Sequence, residues 1–174
     1  MARNLNEVTG TPEELLNTCV ARWVDRVVDW NAFPDAGKEG YRRSQHRYVG
    51  GGGSGKHDDP NVIPPGHFNV SVMAIPPGQG TSSHTHTLDE AFFVLKGNLT
   101  AFLEAEDGSR AESVLGPWDC ICRPAGVFGG IYNHTLEPVY VQVILPAGDT
   151  VPTANRPHGK SAVTTSGPPG DGEN

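Results

Sequence analysis

The strongest chemical signal in this chain comes from three side chains lying close together in sequence, His84, His86 and Glu90. His84 and His86 alternate, so on a β-strand both imidazoles project from one face, about 6 to 7 Å apart along the chain. Glu90 follows four residues later, beyond a turn at Leu88 and Asp89, and opens the next apolar run. A hairpin there would return its carboxylate to the two imidazoles. Two neutral imidazole nitrogens and one carboxylate on one side of a cation leave the opposite positions open, which suits Fe(II) and O2 chemistry. The same donors also hold Mn, Ni or Zn, so the residues name a divalent-metal site before they name its metal.

Other residues carry weaker signals. Cys120 and Cys122 flank Ile121 and share a strand face; small buried strand residues are a simpler reading than a metal-binding pair. Arg123 precedes a turn at Pro124, and Tyr132 lies near the expected barrel mouth; either would orient an anionic or carbonyl substrate. His67 begins the strand before the His84, His86 and Glu90 group and is a candidate acid or base lining the cavity. Gly50, Gly55 and Lys56 fill most of a phosphate-cradling G-x4-G-K-[ST] loop, but His57 replaces its hydroxyl. Asp58, Asp59 and Pro60 then follow where a helix N-terminus must face the phosphates. The stretch from Gly50 to Gly55 therefore reads as a mobile loop near a site, not a nucleotide pocket. Arg42, Arg43 and Arg47 read as a solvated edge, as do Glu104 and Glu106.

The elements that must position these residues are mostly strands. From 68 onward, short runs rich in Val, Ile and Phe are divided by Gly and Pro, at 68 to 75, 91 to 95, 99 to 103, 121 to 122 and 139 to 145. Their length and spacing are those of a sandwich or barrel. A polar strand is expected between 41 and 49. Ahead of it, Thr11, Pro12 and Glu14 form a helix start with a capping box. Leu15, Leu16, Cys19, Val20, Trp23, Val24, Val27 and Val28 then recur at helical spacing, predicting one amphipathic helix from 11 to 30. So apolar a face must dock on the sheet or on a second subunit.

Composition agrees. Gly 22 and Pro 15 make about a fifth of the 174 residues, which fits a turn-rich all-β domain. The formal net charge of -7 argues against nucleic acid and acidic membranes, which require clustered Lys and Arg. No apolar run approaches the ~20 residues of a membrane span. The first residues lack the basic start and apolar stretch of a secretory signal, and three cysteines are an odd number. A reduced, cytoplasmic protein is the expectation.

Gly78, His84, His86, Glu90 and Gly97 match every position of G-x5-H-x-H-x3-E-x6-G, and in this the chain resembles the cupin superfamily. The second cupin motif, G-x5-P-x-G-x2-H-x3-N, is recovered in part: Pro124, Gly126 and Asn133 fall in place, and Asp119 stands where many cupins carry an acid. Trp118 replaces its first glycine, and Gly129 replaces its histidine, usually the fourth metal ligand. The resemblance covers roughly residues 66 to 146. It implies an all-β fold, a cupin-type double-stranded β-helix or jelly-roll barrel, with the N-terminal amphipathic helix outside it. The chain divides accordingly into an N-terminal helix and Gly/Pro-rich arm (1–66), the barrel (67–146), and an extended or disordered tail (147–174).

Gly129 leaves three readings open. The metal has three protein ligands, His84, His86 and Glu90; or His134 supplies a fourth, against strand parity, since 129, 131 and 133 share the other face; or the barrel holds no metal. Phe92 and Val94 share parity with Glu90 and would make the surrounding wall apolar. The resemblance implies a metal-dependent enzyme, a non-haem Fe(II) dioxygenase that cleaves a C–C bond in a small aromatic or dicarbonyl substrate with O2. Its rivals are a non-redox isomerase, lyase or decarboxylase using Mn, Ni or Zn, and a non-catalytic ligand-binding cupin. A homodimer or higher homo-oligomer is the family habit.

Overall fold

The computed structural model describes residues 10–56, 58–147 and 154–156, the last three by their backbone. Among the described residues, ten strands form two antiparallel five-stranded sheets. One sheet has the order β1 (Ser44–Val49), β2 (Phe68–Ile75), β9 (Val139–Pro146), β4 (Glu90–Lys96), β7 (Cys120–Arg123). The other runs β10 (Ala154–Arg156), β3 (Ser83–Thr85), β8 (Phe128–Tyr132), β5 (Leu99–Glu104), β6 (Arg110–Leu115). Each of the five expected apolar runs lies within one of these strands, whereas β3, β6, β8 and β10 were not foreseen from apolar runs.

Alternation builds the interior. Along β4, Glu90, Phe92 and Val94 are buried while Ala91, Phe93 and Leu95 are only partly covered. β9 alternates in the same way. Their inward residues meet Met73 and Ile75 of β2, Leu99 and Ala101 of β5 and Ile131 of β8 in one apolar core. Each large side chain so buried contributes roughly 1.5 to 3 kcal/mol.

Ahead of the sheets, the predicted long helix is corrected to a short one. Thr11 caps it with the full capping box, and Pro12 opens it, but α1 spans only Pro12–Cys19 and buries none of its residues. Val20 is already extended, and a single 3-10 turn follows at Trp23–Asp25. Two causes act together. Val20, Val24, Val27 and Val28 are β-branched and lose rotamer freedom in a helix. The segment also gains partners by lying extended across β1. Asp29 pairs with Gln45 through both backbone bonds, and Arg26 donates to the Arg47 carbonyl at 2.9 Å. Trp23 lies 4.5 Å from the His46 ring.

That cover also corrects the reading of the arginines. Arg42 is exposed over the Trp30 ring, but Arg43 and Arg47 are buried, at 6% and 3% exposure. Arg43 pairs with Asp35 at 3.0 Å and lies over the Phe33 ring; Arg47 pairs with Asp29 at 2.5 Å. The edge is solvated only until the N-terminal segment folds over it.

The glycine-rich stretch, read from sequence as a loose loop, packs on the sheet. It forms a 3-10 turn, Gly52–Ser54, against β1, β2 and β9. A Cβ at Gly52 would stand 2.5 Å from Gln45 Nε2 and 2.8 Å from Ser71 Cβ, at a φ of +55°. Glycine is needed there for both reasons. His57 lies outside the described residues. So do 1–9, 148–153 and 157–174, which include most of the expected tail; within it, β10 pairs antiparallel with β3. Among the described residues no helix is long and apolar enough to cross a membrane.

Candidate metal centre

His84 lies in the middle of β3, with His86 just beyond its end, while Glu90 is the first residue of β4. These strands belong to different sheets. The expected hairpin is therefore a crossing between the sheets, and the ligands converge from two facing layers. Local bonds hold the crossing: the Gly126 N–H donates to the His86 carbonyl at 3.0 Å, and the Ala125 N–H to Asp89 Oδ1 at 2.9 Å. Gly126 takes a φ of +77°, which a side chain would resist.

The three side chains come together. Donor atoms of His84, His86 and Glu90 all lie within 4.8 Å of one another, and all three residues are buried. His84 Nε2 is 3.8 Å from Glu90 Oε2, and His86 Nε2 is 3.7 Å from Glu90 Oε1. Such separations fit a shared cation whose bonds are about 2.0–2.2 Å long. His84 Nδ1 lies 2.8 Å from the Ser82 carbonyl, which can only accept, so Nδ1 donates there and Nε2 is the nitrogen that faces Glu90. This donor chemistry fits a divalent cation.

Arg123 stands at the centre of the group. It pairs with Glu90 in the β4–β7 register, and its Nη2 donates to Glu90 Oε2. Nη1 donates to the His84 carbonyl at 2.5 Å and the Gly129 carbonyl at 2.6 Å. One guanidinium thus ties β3, β4, β7 and β8 together. Burial pushes the Glu90 carboxyl up, but the neighbouring His84 imidazole, the Arg123 charge and His86 outweigh it and hold the group below the usual carboxylate range. The balance favours the carboxylate form of Glu90.

The remaining candidates lie elsewhere. Tyr132 points to the face of β8 opposite the core residue Ile131; its hydroxyl donates to the Gly78 carbonyl at 2.6 Å. His134 is exposed past the end of β8, its ring 4.4 Å from that of Tyr132. It does not join the three ligands. His67 is exposed ahead of β2. Cys120 and Cys122 are exposed, not buried, because β7 is an edge strand and they occupy the outer face, away from Arg123.

Gly129 pairs with His84 across β3 and β8. A Cβ built there would overlap the Phe102 carbonyl oxygen, closer than 3.0 Å, and lie 3.1 Å from Leu103 Cδ2 and 3.4 Å from Arg123 Cδ. The strand passes too close to β5 for any side chain, and Arg123 occupies the adjoining space. Sequence reasoning missed this exchange of a fourth ligand for a guanidinium. The signal available was Arg123 and Gly129 standing on either side of one turn, both within the second motif. Trp118, in place of that motif's first glycine, keeps a glycine-like φ of 77°.

Two facing antiparallel sheets with the candidate donors between them have the double-stranded β-helix architecture that the first motif implies. Two solved structures share the fold. The polyketide cyclase RemF from Streptomyces resistomycificus superposes with a TM-score of 0.59 at 18% identity, over 81% of this chain and 87% of that one. The DMSP lyase DddQ from Ruegeria pomeroyi DSS-3 does so with 0.53 at 16% identity, over 71% of this chain and 56% of that one. A Klebsiella pneumoniae protein described by its double-stranded β-helix domain matches 47% of this chain and 69% of its own, with 22% identity and a TM-score of 0.42. No protein-family model matches the chain, and no curated protein does.

Proposed function

We propose that this chain is a metal-dependent enzyme acting on a small organic molecule that chelates the ion through oxygens, with Fe(II) as the first candidate metal. In its finer form the proposal is a non-haem dioxygenase that cleaves a C–C bond of an aromatic or dicarbonyl substrate in a reduced cytoplasm. The observation that carries it is the convergence of two imidazoles and one ionised carboxylate in a buried position. His84, His86 and Glu90 would hold the ion, which supplies redox chemistry toward O2 and Lewis acidity toward the substrate oxygens. The chain's residues do the rest. The Ser82 carbonyl orients His84, Arg123 keeps Glu90 ionised and in place, and Phe92 and Val94 line the inner face of β4 beside it and exclude water.

A non-redox reading, with Zn, Mn or Ni as Lewis acid, is favoured by a different observation. The likeness extends over 81% of the chain to a polyketide cyclase and over 71% to a lyase. Metal analysis of protein purified without an affinity tag, followed by O2-uptake assays on catechols, hydroxyaryl ketones and β-diketones, separates the two. Stoichiometric iron with substrate-dependent O2 consumption supports the dioxygenase. Turnover without O2 supports the non-redox enzyme, and absence of any stoichiometric metal leaves a ligand-binding cupin. We further propose that exposed Leu16, Val20, Trp23, Val24, Val27 and Val28 meet a second copy of the chain. Light scattering that returns a monomer mass would reject that contact.

A further inference from the structure

We propose that Arg123 makes this centre select anionic oxygen chelators over neutral ones. The inference rests on the metal reading above. Arg123, Glu90, His86 and His84 are 3%, 4%, 4% and 7% exposed, so any charge placed among them is poorly solvated and must be matched locally. Glu90 is the single carboxylate of the group, and Arg123 already neutralises it through Nη2. The guanidinium cannot swing away, because Nη1 is held by the carbonyls of His84 and Gly129.

No other acid compensates. Among the described residues the other buried carboxylate is Asp59, which accepts from the Asn61 N–H in its own loop. Asp35 is spent on Arg43. Two neutral imidazoles and a cancelled carboxylate therefore leave a bound divalent ion with its full double charge. The balancing charge has to arrive with the ligand. Gly129, facing His84 in register, contributes no donor, and nothing larger fits there. An enolate, a catecholate or a dicarboxylate, offering two oxygens and one or two negative charges, meets these terms.

The experiment compares malonate with malonamide on Co(II)-loaded protein, following the visible Co(II) bands and the heat of binding. The two probes share a bite and differ in charge. The expected preference for malonate in the wild-type protein exceeds that of aqueous Co(II) in the same buffer by about tenfold, equal to roughly 1.4 kcal/mol. Arg123→Met should lose that excess, and Arg123→Lys, which keeps the charge, should recover most of it. A wild-type preference no greater than that of the free ion overturns the inference, as does an unchanged ratio in Arg123→Met. Equal losses in the Lys and Met variants assign the effect to packing and overturn it too. Should Arg123→Met fail to fold, the wild-type ratio against the free ion still decides. Failure of the metal reading itself looks different: wild-type protein then takes up no Co(II).

Discussion

A histidine placed at position 129 should damage this protein instead of adding a fourth donor to the candidate site. The cupin motif alone leads to the opposite expectation, that Gly129→His supplies a fourth ligand and slows turnover by filling an open position. The structure overturns that expectation at the first carbon. A Cβ at 129 overlaps the Phe102 backbone oxygen and presses on Leu103 Cδ2 at 3.1 Å. The obstacle is backbone of the neighbouring strand, so it cannot rotate aside. Gly129→Ala is the cleanest form of the test, since it adds one methyl and no donor. Overpacking of this kind costs about 1–3 kcal/mol. At about 2–4 °C per kcal/mol for a chain of this size, Tm should fall by roughly 2 to 12 °C. Gly116→Ala is the control, because a Cβ there meets only Asn98 Oδ1 at 3.6 Å and Asp119 Oδ2 at 3.7 Å, ordinary contacts. Differential scanning calorimetry of the three proteins reads the difference. A Gly129→Ala protein melting within a degree of wild type, or a Gly129→His protein that is stable and binds metal more tightly, would refute the steric reasoning.

Further outcomes follow from the same geometry. His84→Ala and His86→Ala should each lose most bound divalent metal, and Glu90→Gln should weaken it, with circular dichroism unchanged; stoichiometric metal in the double histidine variant would place the site elsewhere. His134→Ala should keep its metal, since that ring is exposed against Tyr132, and a loss as deep as that of His86→Ala would contradict the placement. Burial pushes the His46 imidazole below its usual value, against a raising contact with the Val72 carbonyl, so the folded protein resists protonating it. Stability should therefore fall as pH drops below about 6.5, by up to about 1.4 kcal/mol per pH unit until the lowered folded pKa is passed. Urea titrations should show a flatter slope in that window for His46→Phe, and an identical slope would exclude His46 as the cause.

The parts of this protein legible in its sequence are those that local spacing determines. Alternation placed Phe92 and Val94 on the same face as Glu90, and the capping box placed the start of α1 at Thr11, because each depends on residues a few positions apart. What stayed hidden depends on partners far along the chain. Helical spacing continues through Val28, yet the backbone leaves the helix at Val20, since Trp23, Arg26 and Asp29 find His46, Arg47 and Gln45 when extended. The same cover turns Arg43 and Arg47 from edge residues into buried ones. Cys120 and Cys122 look like core residues by size, but β7 lies at a sheet edge, and edge position is a property of strand order.

The candidate metal centre shows both kinds of information in one place. Its three donors are separated by two and four residues and can be read directly. The residue that controls them cannot, because Arg123 meets Glu90 only through the register of β4 with β7, and meets Gly129 only across a turn. Close approach of β8 to β5 denies position 129 a side chain, and Arg123 lies alongside with its guanidinium bonded to the carbonyls of His84 and Gly129. A histidine nitrogen would donate electron density to a bound cation; here Arg123 instead sets a positive charge beside the Glu90 carboxylate, and glycine leaves no fourth donor opposite His84. The proposed preference for anionic ligands rests on that pair of differences.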